Sequence, residues 1–219
     1  ASFQVPANTP ISLQPLDSEG RALQLMRSWL VAMPGEVLSC VGCHESQDTV
    51  PTARHTMASL RPPTAIQPWY GPARPFGYDH EVQPVLDEYC VGCHDGVIDD
   101  RPNFADTDPG PAGFSNSYHA LHSFVRRPGP ESDVHILRPL EYHADTSELI
   151  QMLRKGHKNV EMDQEAWERL YCWIDMNAPY YGTWKEIADA KSGGNLFRGE
   201  QGPLLDMSDR YFELRDLYA

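Results

Sequence analysis

Apolar residues recur at helical spacing in the second half of the chain. Val82, Val85, Leu86 and Tyr89 occupy positions i, i+3, i+4 and i+7, the pattern of an amphipathic helix, and lead directly into Cys90. Helical spacing appears again in "SYHALHSFVRR", "ADTSELIQMLRKG" and "DQEAWERLYCWIDMNAP". These stretches predict one helical domain over residues 82–177, in which the first and last helices pack together.

Boundaries can be predicted for the last two of these helices. Asp145 or Thr146 is a suitable N-cap for the earlier helix, and Gly156 is a suitable C-terminal stop. Asp163 begins the later helix, and Pro179 limits its extent. The residues from Gly156 to Asp163 are therefore predicted to form a short loop between two helices.

The N-terminal segment has a different pattern. Apolar and polar residues alternate in "SFQV" and "ISLQPL", as in half-buried strands, and "DSEG" at residues 17–20 is a turn sequence. The following run, "RALQLMRSWLVAM", fits both strand alternation and helical spacing, and we favour a strand. Pro34 and Gly35 end this run, so residues 1–36 are predicted to be β-rich.

The remaining stretches show no sustained period. Residues 46–79 are rich in proline and aromatic residues, as in "RPPTAIQPWYGPARPFGY", which is typical of an extended linker. Beyond "PYYGTW" the tail contains a polar linker and a last short helix with Ser208 as its cap. We therefore divide the chain into residues 1–79, 80–184 and 185–219, and predict a mainly α fold with much irregular loop.

Composition narrows the possible partners. The 219 residues include 19 prolines and 16 glycines, in agreement with extensive irregular chain, and carry a formal net charge of −13. This charge makes nucleic acid an improbable partner and favours a basic or locally basic one. No run of 18 or more apolar residues is present, so no membrane span is predicted.

A repeated motif carries the chemistry. "CVGCHE" begins at Cys40 and "CVGCHD" begins at Cys90, and these motifs hold four of the five cysteines. Cys-x-x-Cys-His is the attachment signature of a c-type haem, in which both thiols bond to the porphyrin and the histidine ligates the iron. A four-thiolate zinc site and a redox dithiol are the alternatives, but neither requires a histidine after each motif. We predict two covalently attached haem c groups.

The cysteines and histidines of the motifs are the predicted binding residues. They are Cys40, Cys43 and His44 for the first haem, and Cys90, Cys93 and His94 for the second. The fifth cysteine, Cys172, is interpreted as a small buried residue on a helix. A metal ligand or an intermolecular bridge is its alternative role.

The distal ligands are less clearly indicated than the proximal ones. For the second haem the candidates are His157 and Met162, which both lie in the loop between the last two helices. We favour His157, because imidazole is the stronger ligand for ferric iron. For the first haem the candidates are His122 and His143, with His135 third. We expect His55 and His80 to be exposed and His119 to point away from the apolar face of its helix. Three arginines have two interpretations: they neutralise haem propionates, or they are solvated surface residues. They are Arg126, Arg127 and Arg138.

Several strings together resemble a known family. "VPANTPISLQPLDSEGRALQLMRSWLVAMPGEVLSCVGCHE", "EVQPVLDEYCVGCHDG", "RRPGPESDVH", "HADTSELIQMLRKGHKNV" and "WIDMNAPYYGTW" resemble the C-terminal dihaem part of the hydrazine synthase alpha subunit and its planctomycete relatives. The resemblance implies a cytochrome c-like helical domain carrying the second haem, preceded by a β-rich unit. It also places His157, in "KGHKNV", in the region expected to supply the distal histidine.

The resemblance also raises a question about the first haem. In hydrazine synthase the similar haem is ligated by a tyrosine shortly after the motif, with the motif histidine directed towards zinc. Here Glu45, Ser46, Gln47 and Asp48 follow the motif, and the next tyrosine is Tyr70. This departure counts against the enzymatic arrangement.

Two functions remain open at the level of sequence. The first is a dihaem electron-transfer protein that serves redox partner proteins, with possible self-association into a chain of haems. The second is a haem enzyme or enzyme fragment that uses an open first haem as its reaction centre. Covalent haem attachment predicts a location outside the cytoplasmic membrane, in a periplasm or equivalent lumen or at the cell surface, and the chain starting at Ala1 is interpreted as a mature or trimmed product.

Overall fold

The computed structural model describes residues 1–26, 29–40, 56–125, 144–183 and 185–187. Five α-helices lie between residues 78 and 175: α1 Tyr78–Glu81, α2 Gln83–Tyr89, α3 Asn116–His122, α4 Glu148–Arg154 and α5 Gln164–Asp175. Short 3-10 turns at Pro111–Gly113, Ala144–Thr146 and His157–Asn159 lie between them. None of the helices in the described ranges is long and apolar enough to cross a membrane.

Three of the helices, α3, α4 and α5, begin after a polar N-cap residue. Asp163 caps α5, because its side chain accepts a hydrogen bond from the N–H of Ala166 at 2.8 Å. Ser115 caps α3 in the same way. The predicted cap of α4 at Asp145 or Thr146 is wrong: a 3-10 turn occupies those residues, and Ser147 is the N-cap.

The helices pack around one apolar core. Each of the four longer helices, α2 to α5, contributes buried side chains, and the residues between α2 and α3 add Phe104. Tyr78 and Trp173 are fully buried, and their rings contact each other at a centroid distance of 5.5 Å. The Tyr78 hydroxyl is hydrogen-bonded to Ser117 at 2.9 Å, so its polar end is satisfied inside the core.

The N-terminal segment is held by isolated bridges. Ile11 pairs with Leu30 in antiparallel orientation, and Phe3 pairs with Thr64 in parallel orientation. Residues 1–26 and 29–40 contain no continuous strand and no helix. The β-rich character of this segment therefore stays a prediction, as does the cytochrome c-like nature of the helical part.

The N-terminal segment lies against the helical part. Arg21 forms ion pairs with Asp17 and Asp145, and Arg154 of α4 pairs with Asp145 and Glu19. Two of these pairs, Arg21–Asp145 and Arg154–Glu19, join residues more than a hundred positions apart in sequence. The predicted tail helix after Ser208 lies outside the described residues.

Candidate functional site

The second motif continues directly from helix α2. Cys90 is the C-cap of α2, and its N–H donates to the carbonyl of Leu86 at 2.8 Å. The N–H groups of Cys93 and His94 both donate to the carbonyl of Cys90 at 3.0 Å, which closes a tight turn. The helix and this turn place both thiols and the imidazole on the wall of one cavity.

This cavity has a volume of about 410 Å³ and is largely apolar. Such a volume falls within the range of roughly 300–1,000 Å³ that is usual for small-molecule and cofactor sites. Its lining comes from all four longer helices and the loops between them: Leu86, Tyr89, Cys90, Cys93, His94, Arg101, Pro102, Phe104, Leu121, Phe124, Leu149, Met152, Leu153, His157, Lys158, Val160 and Leu170. The core thus borders an apolar cavity at the motif, open on one part of its wall.

The imidazole of His94 is oriented by the loop that follows it. Nδ1 lies 3.0 Å from the carbonyl oxygen of Pro102, and a carbonyl can only accept, so Nδ1 donates. In that tautomer Nε2 carries the lone pair that binds a metal. The Phe104 ring lies 4.9 Å from the imidazole, and the Phe104 N–H donates to the His94 carbonyl at 2.8 Å.

His157 lines the same cavity as His94, and the two rings are close together. Its ring centroid is 6.0 Å from that of His94, and the two ring planes are inclined by 29°. Gly156, with φ of 90°, lies between α4 and the 3-10 turn that contains His157. Lys158 and Asn159 in that turn also have positive φ, of 51° and 58°. Left-handed backbone at non-glycine residues is uncommon and is found preferentially at functional sites.

The separation of the two rings fits a shared metal ion. An imidazole–metal bond is about 2.0–2.1 Å for zinc, and the nitrogen lies about 1.1 Å from its ring centre, so two imidazoles on opposite sides of one ion would have centres about 6.2–6.4 Å apart. The 6.0 Å between the ring centres of His94 and His157 is close to this value. With Cys90 and Cys93 on the same wall, these residues fit a covalently attached haem.

The charged groups around the cavity are cationic. Among the residues that the structure describes, the lining contains two permanently charged side chains, Arg101 and Lys158, and no carboxylate. A guanidinium N–H of Arg101 donates to the Cys93 carbonyl at 3.2 Å. In a chain of net charge −13, an acid-free lining suits an occupant that carries carboxylates.

The acidity of the thiols bears on the redox-dithiol alternative. Burial raises the pKa of Cys90 to about 11. A reactive dithiol instead needs a thiol whose pKa is lowered by neighbouring positive charge or a helix N-terminus. Cys90 therefore lacks the activation expected of a redox dithiol. Among the described ranges, no cluster of three or more His, Cys, Asp or Glu side chains is placed to hold a metal ion by itself.

The other predicted ligands are distributed as follows. Met162 packs against the core but is not part of the cavity lining. His122 ends α3, away from this lining, and its ring lies 5.3 Å from that of Tyr118. Cys40 is exposed at the end of a described range. Predicted residues that lie outside the described ranges are Cys43, His44, His55, His135, His143, Arg126, Arg127 and Arg138.

Sequence reasoning did not identify four residues of this site. Pro102 and Phe104 follow the motif within a loop, and neither belongs to a periodic pattern. Arg101 and Lys158 resemble ordinary solvated residues in the sequence. The "KGHK" string is nevertheless locally basic in an acidic chain, and this contrast was the available signal for Lys158.

Comparison with known proteins gives one relationship. Residues 1–45 match the family model of the hydrazine synthase alpha subunit middle domain, so this part of the chain is hydrazine synthase alpha-like. Comparisons with curated proteins and with solved structures gave no match. The matched residues end one position after His44 and include the first Cys-x-x-Cys-His motif.

Proposed function

We propose that the chain is a dihaem c-type cytochrome that carries electrons between redox partner proteins. The observation that carries the proposal is the cavity of the second motif, where Cys90, Cys93 and His94 share one apolar chamber with His157. The ring centres of the two histidines lie 6.0 Å apart, which suits six-coordinate iron. A six-coordinate iron exchanges electrons without offering a position for substrate.

The second site would be built entirely from described residues. Cys90 and Cys93 would hold the haem by thioether bonds, His94 and His157 would bind its iron, and a bound haem would supply one-electron chemistry. The protein excludes water through the apolar lining and fixes the imidazole of His94 through Pro102. The identical first motif is proposed to hold a second haem, and residues 80–184 are proposed to be a cytochrome c-like domain.

The partners and location follow from the same proposal. Haem attachment to this motif indicates a compartment outside the cytoplasmic membrane. The net charge of −13 favours a basic or locally basic redox partner and accelerates encounter with it at low salt. Self-association that brings haems of neighbouring copies together would turn the chain into one unit of a longer electron path.

A second function is favoured by the family match. Residues 1–45 match the hydrazine synthase alpha subunit middle domain and include the first motif, so a hydrazine synthase-like haem enzyme or enzyme fragment is the alternative. In that case the first haem would be the reaction centre and the second its electron port. The first tyrosine after the motif is Tyr70, which argues against an early tyrosine ligand like that in the enzyme.

Spectroscopy of the oxidised protein separates the two functions. Electron transfer by six-coordinate haems predicts two low-spin EPR signals that together account for all the iron. A high-spin signal from half of the iron, responsive to added cyanide or azide, would instead support an enzyme with an open first haem. A protein without covalent haem would contradict both functions.

A further inference from the structure

We infer that Gln83, a buried residue of helix α2, is a positioning residue for the imidazole of His94. It ties the loop of residues 102–104 to the helix, and that loop sets the orientation of the imidazole and how strongly it donates electrons to a bound iron. The inference rests on the proposed function, because it concerns a ligand of the second haem. Gln83 itself neither lines the cavity nor belongs to the motif.

The side chain of Gln83 is held by two acceptors. It is 6% exposed, and its amide nitrogen donates to the carbonyl of Phe104 at 2.9 Å and to the carboxylate of Asp87 at 2.7 Å. A carbonyl can only accept, and so can an ionised carboxylate, so the NH₂ group must face both of them. The orientation of the amide is therefore fixed, and both of its N–H groups are used.

The oxygen of the same amide is not satisfied. Gln83 Oε1 is buried and meets no hydrogen-bond donor among the residues that the structure describes. A buried polar atom without a partner destabilises the folded state, and an apolar side chain at this position would avoid that cost. Stability alone therefore does not explain an amide here, whereas the two bonds that its nitrogen donates do.

The acceptor Phe104 is connected directly to His94. The Phe104 N–H donates to the His94 carbonyl at 2.8 Å, and the Phe104 ring lies 4.9 Å from the imidazole with the two planes inclined by 36°. Two residues earlier in the loop, the Pro102 carbonyl lies 3.0 Å from Nδ1 of His94. The loop thus contacts the imidazole at its face and at its N–H group.

These hydrogen bonds form a closed path. Helix α2 contains Gln83 and leads into Cys90, whose carbonyl accepts the N–H of His94 at 3.0 Å. From His94 the path returns through Phe104 to Gln83 in the same helix. Gln83 supplies the side-chain link of this path. Its loss therefore loosens the loop without removing any residue of the motif or of the cavity lining.

The hydrogen bond at Nδ1 controls how strongly the imidazole donates electrons to a metal. An imidazole whose N–H is bound to a carbonyl is the more basic ligand, and a more basic ligand favours ferric over ferrous iron. A loosened loop weakens the bond to Pro102 and lets the ring rotate under Phe104. Loss of the Gln83 donors is therefore expected to raise the reduction potential of the second haem and to change the g-values of its low-spin EPR signal.

Two variants remove the donors, and two others are controls. Gln83→Met keeps the length of the side chain, and Gln83→Leu is an alternative with the same loss. Gln164→Met is the matched control, because Gln164 also donates to a carboxylate four residues later, that of Glu168 at 2.8 Å, but is exposed. Asp87→Ala removes the other acceptor and leaves the bond to Phe104 in place.

The readouts are the low-spin EPR signal and the reduction potential of the haem attached to Cys90 and Cys93, together with hydrogen exchange of the Phe104 N–H. In the Gln83 variants we expect altered g-values, a higher potential and faster exchange. Both controls should keep the g-values and the exchange rate of the parent. Gln164→Met should also keep its potential.

The outcomes distinguish the inference from the proposed function. A parent protein without haem on Cys90 and Cys93 overturns both. Bound haem with the g-values and potential of the parent in Gln83→Met overturns the inference alone, even if exchange at Phe104 is faster, because Gln83 is then only structural. The same g-value change in Asp87→Ala also overturns it. If Gln83→Met fails to fold, Gln83→Leu decides by the same criteria.

Discussion

At the scale of single residues, the imidazoles of His94 and His157 are positioned in different ways. His94 is oriented by a hydrogen bond from Nδ1 to the Pro102 carbonyl, whereas His157 is placed by the left-handed backbone on either side of it. His94 is thus fixed by one bond and His157 by the course of a short loop. If the proposed haem is bound, loss of His157 should change the iron without removing the haem.

His157→Ala is expected to open the second iron to added ligands. Loss of the imidazole leaves the iron five-coordinate, so part of the absorption and EPR spectra should become high-spin while both haems remain attached. Met162→Ala is the matched control and should change little, because Met162 lies outside the cavity lining. A sharp fall of one reduction potential in Met162→Ala, with no effect of His157→Ala, would show that the thioether is the ligand.

Arg101→Gln and Lys158→Gln are each expected to lower the reduction potential of the second haem. Both side chains line the cavity, and removing a positive charge favours the ferric state over the ferrous one. Lys155→Gln, an exposed position in the same basic string, should have a smaller effect. Potentiometric titration measures the shifts, and equal shifts in all three variants would rule out a specific role for the lining pair.

Cys172 is expected to alkylate slowly in the folded protein. Burial raises its pKa to about 12, so at pH 8 only about one thiol in 10⁴ is ionised, against roughly a quarter for an ordinary thiol with a pKa of about 8.5. Alkylation by iodoacetamide at pH 8 should therefore be about a thousandfold slower than in the denatured chain and should accelerate up to pH 12. Equal rates in the folded and denatured protein would contradict the packing of α5.

At the scale of elements, the helices could be predicted from the sequence, whereas the candidate site could be predicted only in part. The 3.6-residue period of α2 and α5 was visible because each helix buries one face, and Asp163 was recognisable as a cap. The cap of α4 was misplaced because a 3-10 turn at Ala144–Thr146 consumes one turn of chain, a choice made by tertiary packing. Arg101 was missed because a charged residue in a loop belongs to no period.

The loop after α4 gives a prediction about backbone conformation. Gly156→Ala is expected to destabilise the protein by about 1–2 kcal/mol, because its φ of 90° is unfavourable for a residue with a Cβ although nothing lies within 4 Å of that position. Gly92→Ala is the control, since its Cβ also meets nothing within 4 Å and its φ is outside the left-handed region. Denaturant unfolding measures both, and equal costs would contradict the conformational explanation.

At the scale of the whole molecule, the hydrazine synthase alpha-like segment contacts the helical part of the chain directly. Residues 1–45 match the family model, and ion pairs such as Arg21–Asp145 connect them to the helices. The sequence revealed the repeated motif in both parts but not these contacts, because a long-range ion pair leaves no mark on local periodicity.

The most direct test of this account is the mass of the intact chain after denaturation and reduction. Thioether bonds survive both treatments, so a dihaem protein should exceed its polypeptide mass by two haems, and only Cys172 of the five cysteines should remain open to alkylation. An excess of one haem, or of none with five reactive thiols, would contradict the central claim.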